Sequence, residues 1–454
     1  MAKLNSIAVG NGSQAERSEA DWLQQAKRHI LRARLDKDSV SGPVLVAGKD
    51  SVVWDVNGKE YLDFNSGQMC SALGHLSPRV VAAIKGACDQ LIHASSSFFN
   101  VQEIALAEKL ASITPDPLRR CFFLESGADA NEAAIQIAKI YTGRNEIASP
   151  HTSFHGLSDA TRAVTFGVQD WHRGYGPYAP GGYAFMAPYC YQCPIGLKFP
   201  SCNTACLSGA MAVLDAQVSG PLAAVITEPL FSAGGVIEPP QGWLADVRRL
   251  CDERGALLIL DEAQTGLGKL GSMWAFEQEG VVPDILTVSK HFGGGVSISA
   301  VITTDEIANA VEAKGFVHGH SHTSDPLACA AASATIDTIV EEDLPARAQV
   351  IGKQWNAHLQ ELASKHEIIG EVRGRGLIQG VELVQDHESR TPAYGIGGDI
   401  EKRCVDEGLL FSVRRRGSVL RFVPPWTTTE EQFARAAAIL DTQFAKVRQV
   451  GIRD

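Results

Sequence analysis

Two apolar runs, Leu257 to Leu260 and Ile285 to Val288, are too short for helices and rich enough in branched residues to be buried strands. Each leads to a reactive group. Asp261 and Glu262 close the first, and Lys290 follows the second by two residues. Gly293, Gly294 and Gly295 come next and let other groups approach the backbone closely. In a sheet of parallel strands the carboxyl ends line one edge, so the pattern predicts an α/β domain with Asp261 and Lys290 facing a common crevice. A strand pair that merely carried a surface lysine would explain neither the acid nor the glycine run.

A lysine amine in such a crevice can bond to an aldehyde, and a carboxylate at the neighbouring strand end is what a protonated pyridine nitrogen needs. Together they describe a pocket for pyridoxal 5'-phosphate. The segments D-E-A-Q-T-G-L-G, from Asp261, and P-D-I-L-T-V-S-K, ending at Lys290, resemble the signature of class III, fold type I aminotransferases. That resemblance covers nearly all of the chain after residue 20. It implies a large, doubly wound domain with a mostly parallel sheet at 78–335. A smaller α/β domain is expected from the two chain ends, 1–77 (with an N-terminal arm) and 336–454. A homodimer or dimer of dimers with shared active sites is implied as well.

The 454 residues carry a formal net charge of −11, which argues against a nucleic-acid surface; Arg414, Arg415 and Arg416 form the only tight basic cluster. No apolar stretch of about 18 residues or more occurs, so no membrane span is expected. The first residues lack a hydrophobic signal segment, and a cytoplasmic location is the expectation. Ten cysteines in a long chain of this kind are expected to be reduced. Six of them (Cys70, Cys88, Cys121, Cys251, Cys329, Cys404) stand singly among small or apolar neighbours and read as core residues.

Taken in order, the chain predicts a helix from about Asp21 to Ala33 and a hairpin around Asn57-Gly58. An irregular loop follows at Ser66, Gly67, Gln68 and Gly74. Ser126, Gly127 and Ala128 sit where a strand turns into a helix, and the free N–H groups there suit a phosphate. His318, His320 and His322 alternate; on one strand they would share a face, as a metal-ligand set does, but solvent-facing or hydrogen-bonded histidines are the preferred reading. Near the C-terminus, GEVRGRGLIQGVELV reads as a glycine-punctuated strand and LRFVPPW as a second. The last helix is expected to begin at a Thr428-x-x-Glu431 capping box and to bury Phe433, Ala437, Leu440, Phe444 and Val447.

The resemblance also assigns roles. Lys290 would carry the cofactor and move the proton, Asp261 would face the ring nitrogen, Gln264 the ring's 3-oxygen, and Phe154 the ring face. Ser126, Gly127 and Ala128 would hold the phosphate, and Ser321 would reach the phosphate of the partner subunit. Arg421 would take a substrate carboxylate, guanidinium being suited to bidentate recognition. The substrates implied are an amino acid or amine and a 2-oxo acid such as pyruvate. Within the class, S-G-Q-M around Gln68 is similar to the 2,2-dialkylglycine decarboxylases. That likeness adds Gln68 and Phe154 as substrate neighbours and an Na⁺ or K⁺ site at Ala94, Ser96, Ser321, Thr323 and Asp325, whose oxygen ligands suit a hard cation. Phe154, Leu157 and Ala233 depart from the decarboxylases, which carry tryptophan, methionine and serine there. Decarboxylation therefore stands as an alternative to simple amino transfer, with racemisation or a non-catalytic binding role further off. Cys190, Cys193, Cys202 and Cys206, spaced C-x2-C-x8-C-x3-C, allow a zinc loop or a reduced lid over the cofactor entrance.

Overall fold

The computed structural model describes residues 17–31 and 42–450. The arm before residue 17 and the expected helix end at Ala33 lie outside them. The first helix runs from Glu19 to His29, two residues ahead of expectation, because Ser18 and Asp21 form the capping box.

Seven strands form the central sheet: β4 (Leu118–Leu124), β5 (Glu146–Pro150), β6 (Gly182–Phe185), β7 (Leu222–Thr227), β8 (Leu257–Asp261), β9 (Ile285–Val288) and β10 (Ser299–Thr304). They come after β1 (Leu45–Lys49), β2 (Val52–Asp55) and β3 (Glu60–Asp63). The order across the sheet is β4-β10-β9-β8-β7-β5-β6, and only β10 runs antiparallel to its neighbours. Every residue of β7, β8 and β9 is buried, which is why they read as continuous apolar runs rather than alternating ones. Their carboxyl ends deliver Glu228, Asp261 and Lys290 to one edge.

Both chain ends build the rest. β2 and β3 form the hairpin at Asn57-Gly58, with Gly58 at φ 81. That sheet, in the order β1-β2-β3-β13, is completed by β13 (Leu409–Leu410), parallel to β3 with Leu409 opposite Leu62. A second four-stranded sheet runs β11 (Ile369–Arg375), β12 (Ile378–Leu383), β15 (Val419–Phe422), β14 (Ser412–Arg414). The glycine-punctuated stretch is thus two antiparallel strands rather than one, turning at Gly376, where φ is 51 and an added Cβ would meet the Lys269 carbonyl. Phe64 and Phe422 each meet Trp355 edge-on with centroids 5.3 Å apart, and Phe433 stacks on it at 5.4 Å, so early and late segments share one core. The last helix, Glu430–Val450, is capped by Thr429 and Gln432, one residue later than expected, and buries Ala436 in place of Ala437.

No strand forms at the three histidines. His318 meets Gln136, His320 pairs with Glu125 at 2.6 Å and His322 with Asp325 at 2.6 Å, so the alternation places them on separate partners. Among the single cysteines Cys251, Cys329 and Cys404 are buried, whereas Cys88 is exposed at a helix end and Cys70 and Cys121 are half-buried. No helix among the described residues is long and apolar enough to cross a membrane.

Candidate active site

Asp261 ends β8 at 5% exposure, where an ionised carboxylate needs several donors to persist. It has them. Its Oδ2 accepts from Asn131 Nδ2 at 2.8 Å and meets His155 Nδ1 at 2.9 Å, and its Oδ1 accepts the Ala263 N–H at 3.0 Å. Burial pushes the carboxyl up, but His155, the Ala263 N–H and the charge of Lys290 outweigh it and hold Asp261 below the ordinary carboxylate range. Asn131 is itself fixed: it donates to the His155 carbonyl at 2.8 Å and accepts from Thr287 Oγ1 at 2.7 Å.

Lys290 stands partly exposed in the crevice, with no hydrogen bond or ion pair among the described residues. Its φ of 55 is backbone that glycine favours, kept here by a side chain with a task. Burial lowers its amine below the usual lysine range, opposed by Asp261 and assisted by Arg421. Cys70, taken for a core residue in the sequence, lies within electrostatic reach of this amine. Glu228, beyond the end of β7, is 2% exposed and accepts the Phe154 N–H at 3.0 Å. Burial, then the charge of Asp261, raises its carboxyl well above the ordinary range, against the Phe154 N–H and the charge of Lys290.

Ser126 caps the Gly127–Thr142 helix, with Asp129 closing the box. A Cβ on Gly127 would lie 2.7 Å from Ser289 Oγ, and Ala128 packs against Gly156, so the helix start sits directly on the Lys290 segment. Phe154 has Trp171 at its edge, centroids 4.6 Å apart. On the opposite wall Arg421 in β15, 2% exposed, donates from Nε to Ser412 Oγ at 3.0 Å and from Nη1 to Ser232 Oγ and Gln264 Oε1, both at 3.2 Å. Its partners are neutral: among the described residues no carboxylate pairs with it. Gln264 uses its oxygen on Arg421, which leaves its amide N–H groups to donate. Gln68 projects from a turn in which Ser66, Gly67, Gln68 and Met69 all have positive φ, pinned by Ser66 Oγ donating to the Val423 carbonyl and by the Gly67 N–H donating to Asp63 at 2.7 Å.

Ser126, Gly127, Phe154, Asp261, Gln264, Lys290 and Arg421 thus meet at one crevice. Asn131, His155, Glu228 and Ser412 complete it, and sequence reading gave them no role; Asn131 is legible only as a polar residue one turn into the helix that Ser126 starts. Ser321 lies exposed. Around Asp325 the geometry differs from an oxygen cage. Its two oxygens meet His93 Nδ1 at 2.5 Å and His322 Nδ1 at 2.6 Å, Thr323 Oγ1 accepts the His320 N–H at 3.1 Å, and Ser96 is exposed. Cys190, Cys193, Cys202 and Cys206 line one small cavity under Tyr189 and Phe199, but no three of these sulphurs lie within 4.8 Å of one another.

The residues present fit pyridoxal 5'-phosphate: an ionised buried acid for the ring nitrogen, an unpaired amine at the next strand end, and a helix start whose Gly127 lies close against Ser289. Comparisons with known proteins agree. An uncharacterized aminotransferase of Schizosaccharomyces pombe is 38% identical over 93% of this chain and 94% of its own. A leucine/methionine racemase of Thermococcus litoralis is 36% identical over 90% of this chain and 92% of its own. The crystal structure of an amine transaminase from an uncultivated Pseudomonas species, with pyridoxal phosphate bound, superposes with a TM-score of 0.85 at 30% identity, covering 92% of this chain and 98% of that one. The profile for aminotransferase class-III matches residues 37–444. The chain belongs to the class-III aminotransferases, the pyridoxal-phosphate enzymes whose fold it shares.

Proposed function

We propose that the protein moves an amino group between an amino acid or amine and a 2-oxo acid such as pyruvate. The observation that carries this is Arg421, a buried cation without a carboxylate partner, across the crevice from an unpaired Lys290 amine beside ionised Asp261. When bound, pyridoxal phosphate supplies the electron sink for breaking a bond at the substrate Cα. The chain does the rest. Asp261 keeps the ring nitrogen protonated. The N–H groups after Ser126 hold the phosphate, with Ala128 and the helix dipole behind them. Phe154 would cover the ring face, and Gln264 would donate to the ring oxygen. The lowered amine of Lys290 is deprotonated more readily than a free lysine and carries the proton at Cα. Arg421 fixes the carboxylate and so decides which Cα bond faces that amine.

Two other outcomes share these parts. Loss of CO₂ needs polar support for a carboxylate turned away from Arg421; Gln68 offers some, while Phe154 and Ala233 carry no side-chain donor. Racemisation is favoured by the likeness to the Thermococcus litoralis racemase. The active form is a dimer: Phe98 and Phe99 are 75% and 86% exposed near Val101, an apolar surface for a second copy, whose phosphate Ser321 then reaches.

Borohydride reduction of the loaded enzyme and peptide mapping are expected to place the label on Lys290. Alanine or a larger amino acid with pyruvate or 2-oxoglutarate is expected to yield the swapped 2-oxo acid. 2-Aminoisobutyrate, which has no Cα proton, is expected to release CO₂ slowly or not at all. Faster CO₂ release from 2-aminoisobutyrate than amino transfer from every α-hydrogen donor overturns the reading. So does loss of optical activity in a single amino acid that outpaces transfer.

A further inference from the structure

Arg421 shares a row with a second buried arginine. Across its sheet Arg373 in β11 stands opposite Gly380 in β12, Gly380 opposite Arg421 in β15, and Arg421 opposite Ser412 in β14. Residues opposite one another in antiparallel strands share a face, and strands lie about 4.8 Å apart, so the two arginines rise from one face with a single strand between them. That strand has no side chain at the crossing point. The loop that follows β7 fills the space: an added Cβ on Gly380 would lie 2.8 Å from Val236 Cβ.

This loop is short and bent. Phe231 and Ile237 exchange backbone hydrogen bonds of 3.0 and 3.1 Å, and every residue between them is buried. Gly235 has φ 117 and Val236 φ 54, the latter a conformation that a β-branched residue leaves unless it is held. Arg373 holds it. Its Nη2 and Nε donate to the Gly235 carbonyl at 2.5 and 3.2 Å, and Nε also donates to the Val236 carbonyl at 2.8 Å. Its Nη1 meets Glu371 and Glu382, both at 2.6 Å, so the guanidinium is neutralised and fixed from behind. On the Arg421 side of the same turn, Ser232 Oγ accepts from Arg421 Nη1 at 3.2 Å. The loop thus lies between two guanidinium groups; one grips its backbone, and the other is aimed by it.

We propose that Arg373, with Gly380 beside it, is a positioning residue for the substrate carboxylate: it fixes the loop that aims Arg421, and the preference for donors that carry a carboxylate depends on it. The proposal rests on the amino-transfer reading above and narrows it, since a clamped Arg421 favours α-amino acids over simple amines. The half-reaction of the loaded enzyme is followed by stopped-flow absorbance with alanine and with isopropylamine, in which a methyl group replaces the carboxylate. The wild type is expected to favour alanine, by limiting rate over half-saturating concentration, about a hundredfold or more. Arg373→Lys keeps the charge between the glutamates but cannot bond both carbonyls. Its preference is expected to fall about tenfold or more, through a higher half-saturating concentration of alanine with the limiting rate kept, while isopropylamine reacts as before. Gly380→Ala pushes the loop from its other side and is expected to give the same split, which decides the matter should Arg373→Lys fail to fold. Binding of propionate to the loaded enzyme, measured by calorimetry, is expected to weaken about tenfold in both variants. An equal loss for alanine and isopropylamine would make Arg373 a part of the general scaffold and overturn the inference. So would a wild type without the preference, or variants that keep both the preference and the propionate affinity; each of these leaves amino transfer standing. Absence of transfer from any amino donor overturns the amino-transfer reading itself, and propionate binding still judges Arg373.

Discussion

Removing the Asn131 amide tests whether the acid at the end of β8 is held by the network described. Asn131→Ala deletes a hydrogen bond to the Asp261 carboxylate and one to the His155 carbonyl, both 2.8 Å, and leaves the Thr287 hydroxyl facing a hole. A bond to a charged group is worth about 1.5–3 kcal/mol and a neutral one about 1, and a buried hydroxyl left unsatisfied adds its own cost. The total is about 3–5 kcal/mol. At about 2 °C per kcal/mol for a domain of this size, Tm should fall by roughly 6–10 °C, read by the loss of near-ultraviolet circular dichroism on heating. Thr287→Val removes the hydroxyl alone and should cost less than half as much. In the double variant no hydroxyl is orphaned, so the two losses should add to less than their sum. A shift below 2 °C for Asn131→Ala, or strict additivity with Thr287→Val, would refute the reasoning.

Glu228 offers a test by pH. A carboxyl raised in the folded state contributes stability that is present in acid and lost as pH climbs from its unfolded value through its folded one. Glu228→Gln should therefore melt near wild type at pH 5 and above wild type at pH 8, and the opposite crossing would show that the group is ionised in the fold. The four cysteines that line one cavity without converging should hold much less than one zinc per chain when the protein is purified without added metal; near-stoichiometric zinc lost in Cys193→Ser would contradict that geometry. Phe99→Asp should shift sedimentation toward the single chain and reduce activity in step, and a variant that stays dimeric would place the interface elsewhere.

What the sequence disclosed follows from how local each signal is. Leu257–Leu260 and Ile285–Val288 announced themselves because a strand buried on both faces must be apolar throughout, and Asp261 and Lys290 because each stands next to such a run. Asn131 and His155 lie 130 and 106 residues from the carboxylate they serve, so no window of sequence contains the contact. The histidine alternation is a local signal of another kind, and the preferred reading of hydrogen-bonded rather than metal-binding histidines agrees with the structure. Period two is also what a turn-rich loop yields when Gly and Ser separate the histidines, and each of the three found a partner on a different element. Gly376 was visible, but whether a glycine bends a strand or ends it depends on the Lys269 carbonyl that crowds it.

The pairing of β13 with β3 sets an order of events on the ribosome. Residues 60–63 are made early, yet the strand that completes their sheet comes about 350 residues later, roughly 20–70 s of synthesis at 5–20 residues per second. Phe64 waits as long for Phe433, and Ser66 for the carbonyl of Val423 that pins its turn. The seven-stranded sheet, complete at Thr304, has all its strands well before then. The nascent chain therefore carries a finished cofactor cradle and an open N-terminal sheet edge side by side, and the wall bearing Arg421 joins them only as the last residues emerge.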